Sequence, residues 1–125
     1  IHNQKHLYRA ALEGIAFSFV YGMEIMKKDG VKTKVIRVGN DNLFQSKIFT
    51  QTISNLIEQP IEIYNTTGAI GAARAAIINS NESSKNYLDK IEIIEPKTNI
   101  DAYNLAYQNW KKILINKLNN DTDRR

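Results

Sequence analysis

Cysteine is absent from the 125 residues, and histidine occurs only as His2 and His6. The first absence excludes disulfides and thiolate metal sites. Two histidines at this spacing could chelate a metal on one helix face, but beside a fraying terminus they read as solvated, so no metal site is assigned. No run nears the roughly 20 apolar residues that a membrane span needs, and no basic-then-apolar leader with a small-residue cleavage site opens the chain. A cytoplasmic setting without a membrane partner is therefore expected. Basic residues outnumber acidic ones 17 to 13, for a net charge of +4. They are dispersed, however, as Lys27 and Lys28, Lys32 and Lys34, Lys111 and Lys112, and Arg124 and Arg125. A nucleic-acid binder gathers its cations on one face among aromatics, so no nucleic-acid partner is expected.

What is present suits one folded unit, with 42% hydrophobic and 24% charged residues. The expected division is a domain over residues 1–118 and a loose tail over 119–125, where Asp121 and Asp123 balance the closing arginines. In "HLYRAALEGIAFSFVYGMEIMKKDG", Tyr8, Leu12, Ile15, Ala16, Phe19, Met23 and Met26 recur at three- and four-residue spacing, which predicts a long amphipathic helix ended by Asp29-Gly30. "KTKVIRVG" predicts a short buried strand stopping at Gly39. "SKIFTQTISNLIEQ" predicts a second helix capped by Ser46, and "PIEIYN" a second strand in which Ile61 and Ile63 alternate with Glu62. "TTGAIGAARAA" begins a third helix; "KIEIIEP" is extended up to Pro96. "NIDAYNLAYQNWKKILINKL" is a last helix with Tyr103, Ala106, Tyr107, Trp110, Ile113 and Leu114 on its apolar face. Strand, helix, strand, helix with short joins predicts a βαβ unit with parallel strands in a small parallel sheet. Such sheets normally carry more strands and have both faces covered. The chain also opens inside a helix pattern without an initiating methionine, so a piece of a larger protein is expected.

Ligands of open α/β sheets gather at the carboxyl ends of the strands, which here means "GNDNLFQS" and "NTTGAIGAA". Gly39 permits close backbone approach; Asn40, Asp41, Asn42, Gln45 and Ser46 offer hydrogen-bonding groups, and the helix start near Ser46 presents free N–H groups to an anion. Gly68, Ala69, Gly71 and Ala72 leave a helix start flat enough for a planar base or a phosphate. The same small residues also suit close helix contacts with no ligand, and Asn-rich turns are usually only turns. Neither standard phosphate-loop pattern occurs.

The order of "YRAALEGIAF", "VIRVGNDNLFQSKIFTQTISNLIEQPIEIY", "GAIGAARAA", "IEP" and "YNLAYQNWKKI" resembles the carboxy-terminal domain of the FGGY carbohydrate kinases, most nearly the xylulose kinases, over roughly residues 7–115. The resemblance implies the ribonuclease H-like, actin-like ATPase fold, with ATP and Mg²⁺ as cofactors and a sugar as substrate. Gly39 then takes the place of phosphate-contacting glycines, and Ser46 that of a small polar residue near the nucleotide. Gly68, Ala69, Gly71 and Ala72 match the motif lining the adenine pocket. Arg9, Glu13 and Gly14 match the first-helix motif, although Arg9 and Glu13 also suit a helical ion pair. The family usually has a glycine pair or triplet where this chain has "GNDN", so Asn40 and Asn42 stand beside the expected nucleotide. The family's catalytic aspartate belongs to an amino-terminal domain, the expected partner, and nothing here matches it; Asp41 reads as a solvated turn residue. Alone, the chain is expected to be inactive and to be able to form a homodimer through the surface its partner would cover. The alternatives are a non-catalytic actin-like module that no longer holds ATP and a basic helical binding domain.

Overall fold

In the computed structural model the described residues are 3–77 and 89–122. The chain runs through α1 (Gln4–Lys28), β1 (Ile36–Gly39), a short 3₁₀ turn (Asn42–Gln45), α2 (Lys47–Ile57), β2 (Ile61–Tyr64), α3 (Gly68–Ile77), β3 (Lys90–Ile94) and α4 (Asp101–Thr122).

The helix ends follow from their local chemistry. Asn3 caps α1 by accepting from the His6 N–H at 3.2 Å, and the His6 Nδ1 accepts from the Asn3 N–H at 3.3 Å. His6 thus serves the helix start, while His2 lies outside the described residues. α1 closes as expected, with Lys27 and Lys28 in its last turn and Gly30 at φ +89°. Ser46 caps α2, its Oγ accepting from the Phe49 N–H. Glu58, at φ +54°, ends that helix, and Pro60 immediately precedes β2. α4 continues over Asn119–Thr122, into the segment expected to be a loose tail; residues 123–125 lie outside the described residues.

β1 and β2 pair in parallel, Ile36 opposite Ile61 and Val38 opposite Ile63. β3 adds on the far side of β2 and runs antiparallel, Ile94 opposite Ile61 and Glu92 opposite Ile63. The sheet is therefore mixed rather than wholly parallel. Alternation in "KIEIIEP" marks extended backbone but carries no direction; the chain between strands sets that.

Helices α1, α2 and α4 form one layer on the sheet. Its core is Ala16, Phe17 and Val20 of α1, Phe49 and Ile53 of α2, Ile61 and Ile63 of β2, Ile94 of β3 and Tyr107 of α4. Phe49 is fully buried, and removing its ring would cost about 3–5 kcal/mol. The buried stripe of α1 is narrower than its spacing predicts and rotated: Tyr8, Ile15 and Met26 are exposed. "GIAFSFVYGMEIM" is apolar around much of its circumference, so periodicity alone does not choose a face; contact with α2 and α4 does. The same holds for α4, where Tyr107 is buried but Ile113 is exposed.

Polar side chains of α2 secure the end of β3. Ser54 Oγ donates to the Ile94 and Gln59 carbonyls at 3.0 and 2.9 Å. Asn55 Oδ1 accepts from the Lys97 N–H at 2.9 Å and from Gln51 Nε2 at 3.0 Å, and Gln51 also donates to the Glu95 carbonyl at 2.8 Å. Both Ser54 and Asn55 are fully buried, where an unmet hydrogen bond is costly; the Asn55 oxygen is met twice, while its Nδ2 finds no partner among the described residues.

Candidate nucleotide site

The carboxyl ends of β1 and β2 hold their two loops together through one backbone group. The Tyr64 carbonyl accepts from Asn40 N–H at 2.9 Å and from Thr66 N–H at 2.8 Å. Gly39 makes this approach possible, because a Cβ there would lie 2.5 Å from the Thr66 carbonyl oxygen. The "GNDN" loop is folded on itself: Asp41 accepts from the Asn42 N–H at 2.8 Å, and Gln45 Nε2 donates to the Asn40 carbonyl at 3.2 Å. Asn42 sits at φ +50°, a left-handed conformation that asparagine tolerates better than most residues. It supplies the backbone shape that glycine would otherwise supply in this turn. Asp41 acts as a turn and cap residue.

After Thr66 the chain enters α3, whose first turn is capped by Thr67 Oγ1 accepting from the Ile70 N–H at 3.4 Å. Gly68, Ala69, Gly71 and Ala72 are all exposed on this helix, and a Cβ at Gly68 or Gly71 would meet nothing within 4 Å. Close contact inside the described residues therefore does not account for these two glycines.

Between the loops lies a groove of about 300 Å³ lined by Gly39, Asp41, Asn42, Gly68 and an apolar wall of Phe19, Leu43, Phe44 and Phe49. Three of the expected residues meet here: Gly39, Asn42 and Gly68. The other five do not line it. Asn40 is held at the loop's base by Gln45, Ser46 caps α2, and Ala69, Gly71 and Ala72 lie along the open face of α3. Phe19 and Phe44 were absent from the expected set. Leu43 and Phe44 are large apolar residues in an otherwise polar loop, and that mismatch was the available signal.

The opposite sheet face carries a charged cluster below the same strands. Glu62 accepts from Lys90 Nζ at 2.5 Å, from the Tyr64 hydroxyl at 2.7 Å and from Arg37 Nε at 3.0 Å. These donors, Lys90 foremost, hold its carboxyl at about 2. Arg9 and Glu13 form the expected helical ion pair at 2.8 Å.

Residues 2–80 match the C-terminal domain of the FGGY family of carbohydrate kinases. The chain belongs to that family. This FGGY domain is 29% identical over 116 residues to a probable L-xylulose kinase of Pasteurella multocida, covering 90% of this chain and 24% of that protein. It is 33% identical over 129 residues to a xylulose kinase of Lactococcus lactis, covering 92% and 25% respectively. It thus spans about a quarter of the length of the curated relatives it matches. The crystal structure of a xylulose kinase from Rhodospirillum rubrum superposes with a TM-score of 0.71 at 19% identity, over 92% of this chain and 25% of that one. The FGGY domain accordingly has the expected actin-like α/β fold. The close approach at Gly39 and the open space beside Gly68 and Gly71 fit a nucleotide laid against backbone.

Proposed function

We propose that this chain is the nucleotide-side domain of a sugar kinase that transfers the γ-phosphate of ATP to a sugar hydroxyl, with D-xylulose the first candidate and xylulose 5-phosphate its product. The observation that carries the reading is the convergence of Gly39, Asn42 and Gly68 on one groove at the carboxyl ends of two parallel strands, in a member of a carbohydrate-kinase family. The relatives' names favour a xylulose.

In this reading Gly39, Asn40, Asn42 and Ser46 from the first loop, with Gly68, Ala69, Gly71 and Ala72 from α3, hold and orient ATP. Bound ATP would supply the phosphoryl group and Mg²⁺ would neutralise its charge, the described residues of this domain offering no cluster of side chains to hold that ion. The domain's own contribution is positioning: the loops are fixed to each other through Tyr64, and the exposed small residues Gly68, Ala69, Gly71 and Ala72 keep much of the start of α3 low beside Ile70. The general base that takes the sugar proton belongs to an amino-terminal partner domain, as do most sugar contacts, so this domain alone is inactive.

The test is ATP-dependent phosphorylation of D-xylulose, L-xylulose, L-ribulose, gluconate and glycerol by the complete protein, with the isolated domain beside it. Turnover of one sugar by the complete protein and none by the domain is expected. No turnover together with no ATP binding would leave the actin-like module as the better account, whereas ATP binding without turnover of these five would point to another sugar.

A further inference from the structure

Among the described residues, the lining of the groove beside Gly39 and Gly68 includes three phenylalanines and one aspartate, and no lysine or arginine. That composition is poor for a phosphate chain, which would meet the Asp41 carboxylate with no cation among the lining residues. It suits a flat, uncharged ring. Phe19 is 47% exposed, so carbon surface is open on the α1 side of the groove. The wall is also fixed in place. Phe19 and Phe44 meet edge-to-face at 5.9 Å, and both rest on the fully buried Phe49, at 5.6 and 5.3 Å. Such an arrangement is ordered before a ligand arrives, which lowers the cost of binding. The volume of about 300 Å³ is at the small end of ligand pockets and suits a base or nucleoside better than a whole nucleoside triphosphate.

We propose that Phe19 and Phe44 form the wall on which the base of a bound nucleotide rests, with Asp41 and Asn42 at the rim for the nucleoside's hydrogen-bonding groups and the phosphates outside the groove. This rests on the nucleotide reading above and adds two residues to it. Phe44 then serves specificity: it contributes apolar and edge-on aromatic contact to a ring and nothing to the phosphates.

The test measures binding of ATP, adenosine and inorganic tripolyphosphate to the complete protein by calorimetry, in the parent and in Phe19→Ala, Phe44→Leu and Phe44→Tyr. Phe19 is half exposed and leucine retains much of the bulk of Phe44, so both variants are expected to fold; thermal unfolding checks this. Adenosine and ATP should bind about tenfold more weakly to Phe19→Ala and Phe44→Leu, as expected for a lost aromatic contact with a base. Tripolyphosphate should be unaffected, and Phe44→Tyr should retain parent affinity. If adenosine and ATP bind these variants as they bind the parent, while Gly68→Val weakens both, the wall is refuted and the nucleotide site stands. Equal weakening of all three ligands would assign the rings a structural role and overturn the proposal. A parent protein that binds neither ATP nor adenosine would overturn the nucleotide reading itself, and the proposal with it.

Discussion

Tyr107 of α4 donates its hydroxyl hydrogen to the Glu24 carboxylate of α1 at 2.9 Å, joining residues 83 apart in sequence. Lys111, one turn further along α4, donates to the other oxygen of the same carboxylate and lies over the Tyr21 and Tyr107 rings, 5.8 and 5.7 Å from their centroids. Burial pulls the Glu24 carboxyl upward, but the hydrogen bonds from Lys111 and Tyr107 outweigh it and hold it below its usual value. Burial and the Glu24 charge together push the Tyr107 hydroxyl well above its usual 10.0, so it remains a donor. One carboxylate therefore fastens the last helix to the first. Tyr107→Phe keeps the buried ring and removes only this bond, and is expected to destabilise the fold by about 1–2 kcal/mol. Urea unfolding of the two proteins measures it; matching midpoints would show that the bond contributes nothing.

Acid should weaken the fold through two carboxylates. Glu62 is held at about 2 in the folded chain against its usual 4.5, chiefly by Lys90, then Tyr64 and Arg37, and Glu24 is also lowered. A carboxyl whose folded value is depressed contributes stability that is complete above its unfolded value and is lost as pH falls through the folded one. The loss therefore begins near pH 4.5 and, for Glu62, runs to about 2. Unfolding midpoints measured from pH 7 down to 2.5 should be flat at first and then decline. Glu62→Gln should show a shallower decline than the parent, and parallel curves would remove Glu62 from the account.

The loop after β1 depends on a left-handed residue that is not glycine. Asn42, at φ +50°, should accept glycine with little change, whereas valine, β-branched and poorly suited to that conformation, should cost roughly 1–2 kcal/mol. Thermal unfolding of Asn42→Gly and Asn42→Val checks the order. Equal behaviour of the two would mean that the turn adapts its backbone to its side chain.

Where one residue type had one local use, the sequence was readable. Ser46 at its cap, Gly30 at its helix end, the Arg9–Glu13 pair and the strands stopping at Gly39 and Tyr64 all lie where their chemistry places them. Features decided by contact across the chain were not readable. The rotation of α1 was one, because "GIAFSFVYGMEIM" offers apolar residues to several faces. The direction of β3 was another, since alternation is the same in both directions. The aromatic wall needed Phe19 of α1 to meet Phe44 of a loop 25 positions later, and no local pattern records that meeting.

The glycines at the groove separate stability from binding. A Cβ on Gly39 would lie 2.5 Å from the Thr66 carbonyl oxygen, a backbone atom that cannot swing aside, so Gly39→Ala must push the two loops apart. The expected cost is roughly 1–3 kcal/mol, together with a loss of nucleotide affinity. Gly71 lies within α3 with open space where its Cβ would stand. Gly71→Ala should therefore raise stability by about 0.5–1 kcal/mol, because alanine favours a helix where glycine does not. If the face of α3 meets nucleotide, the same substitution should weaken ATP binding in the complete protein while its melting temperature rises. A variant that is stabilised with ATP affinity unchanged would take Gly71 out of the binding surface; one that is destabilised would mean that residues outside the described ones occupy the space beside α3.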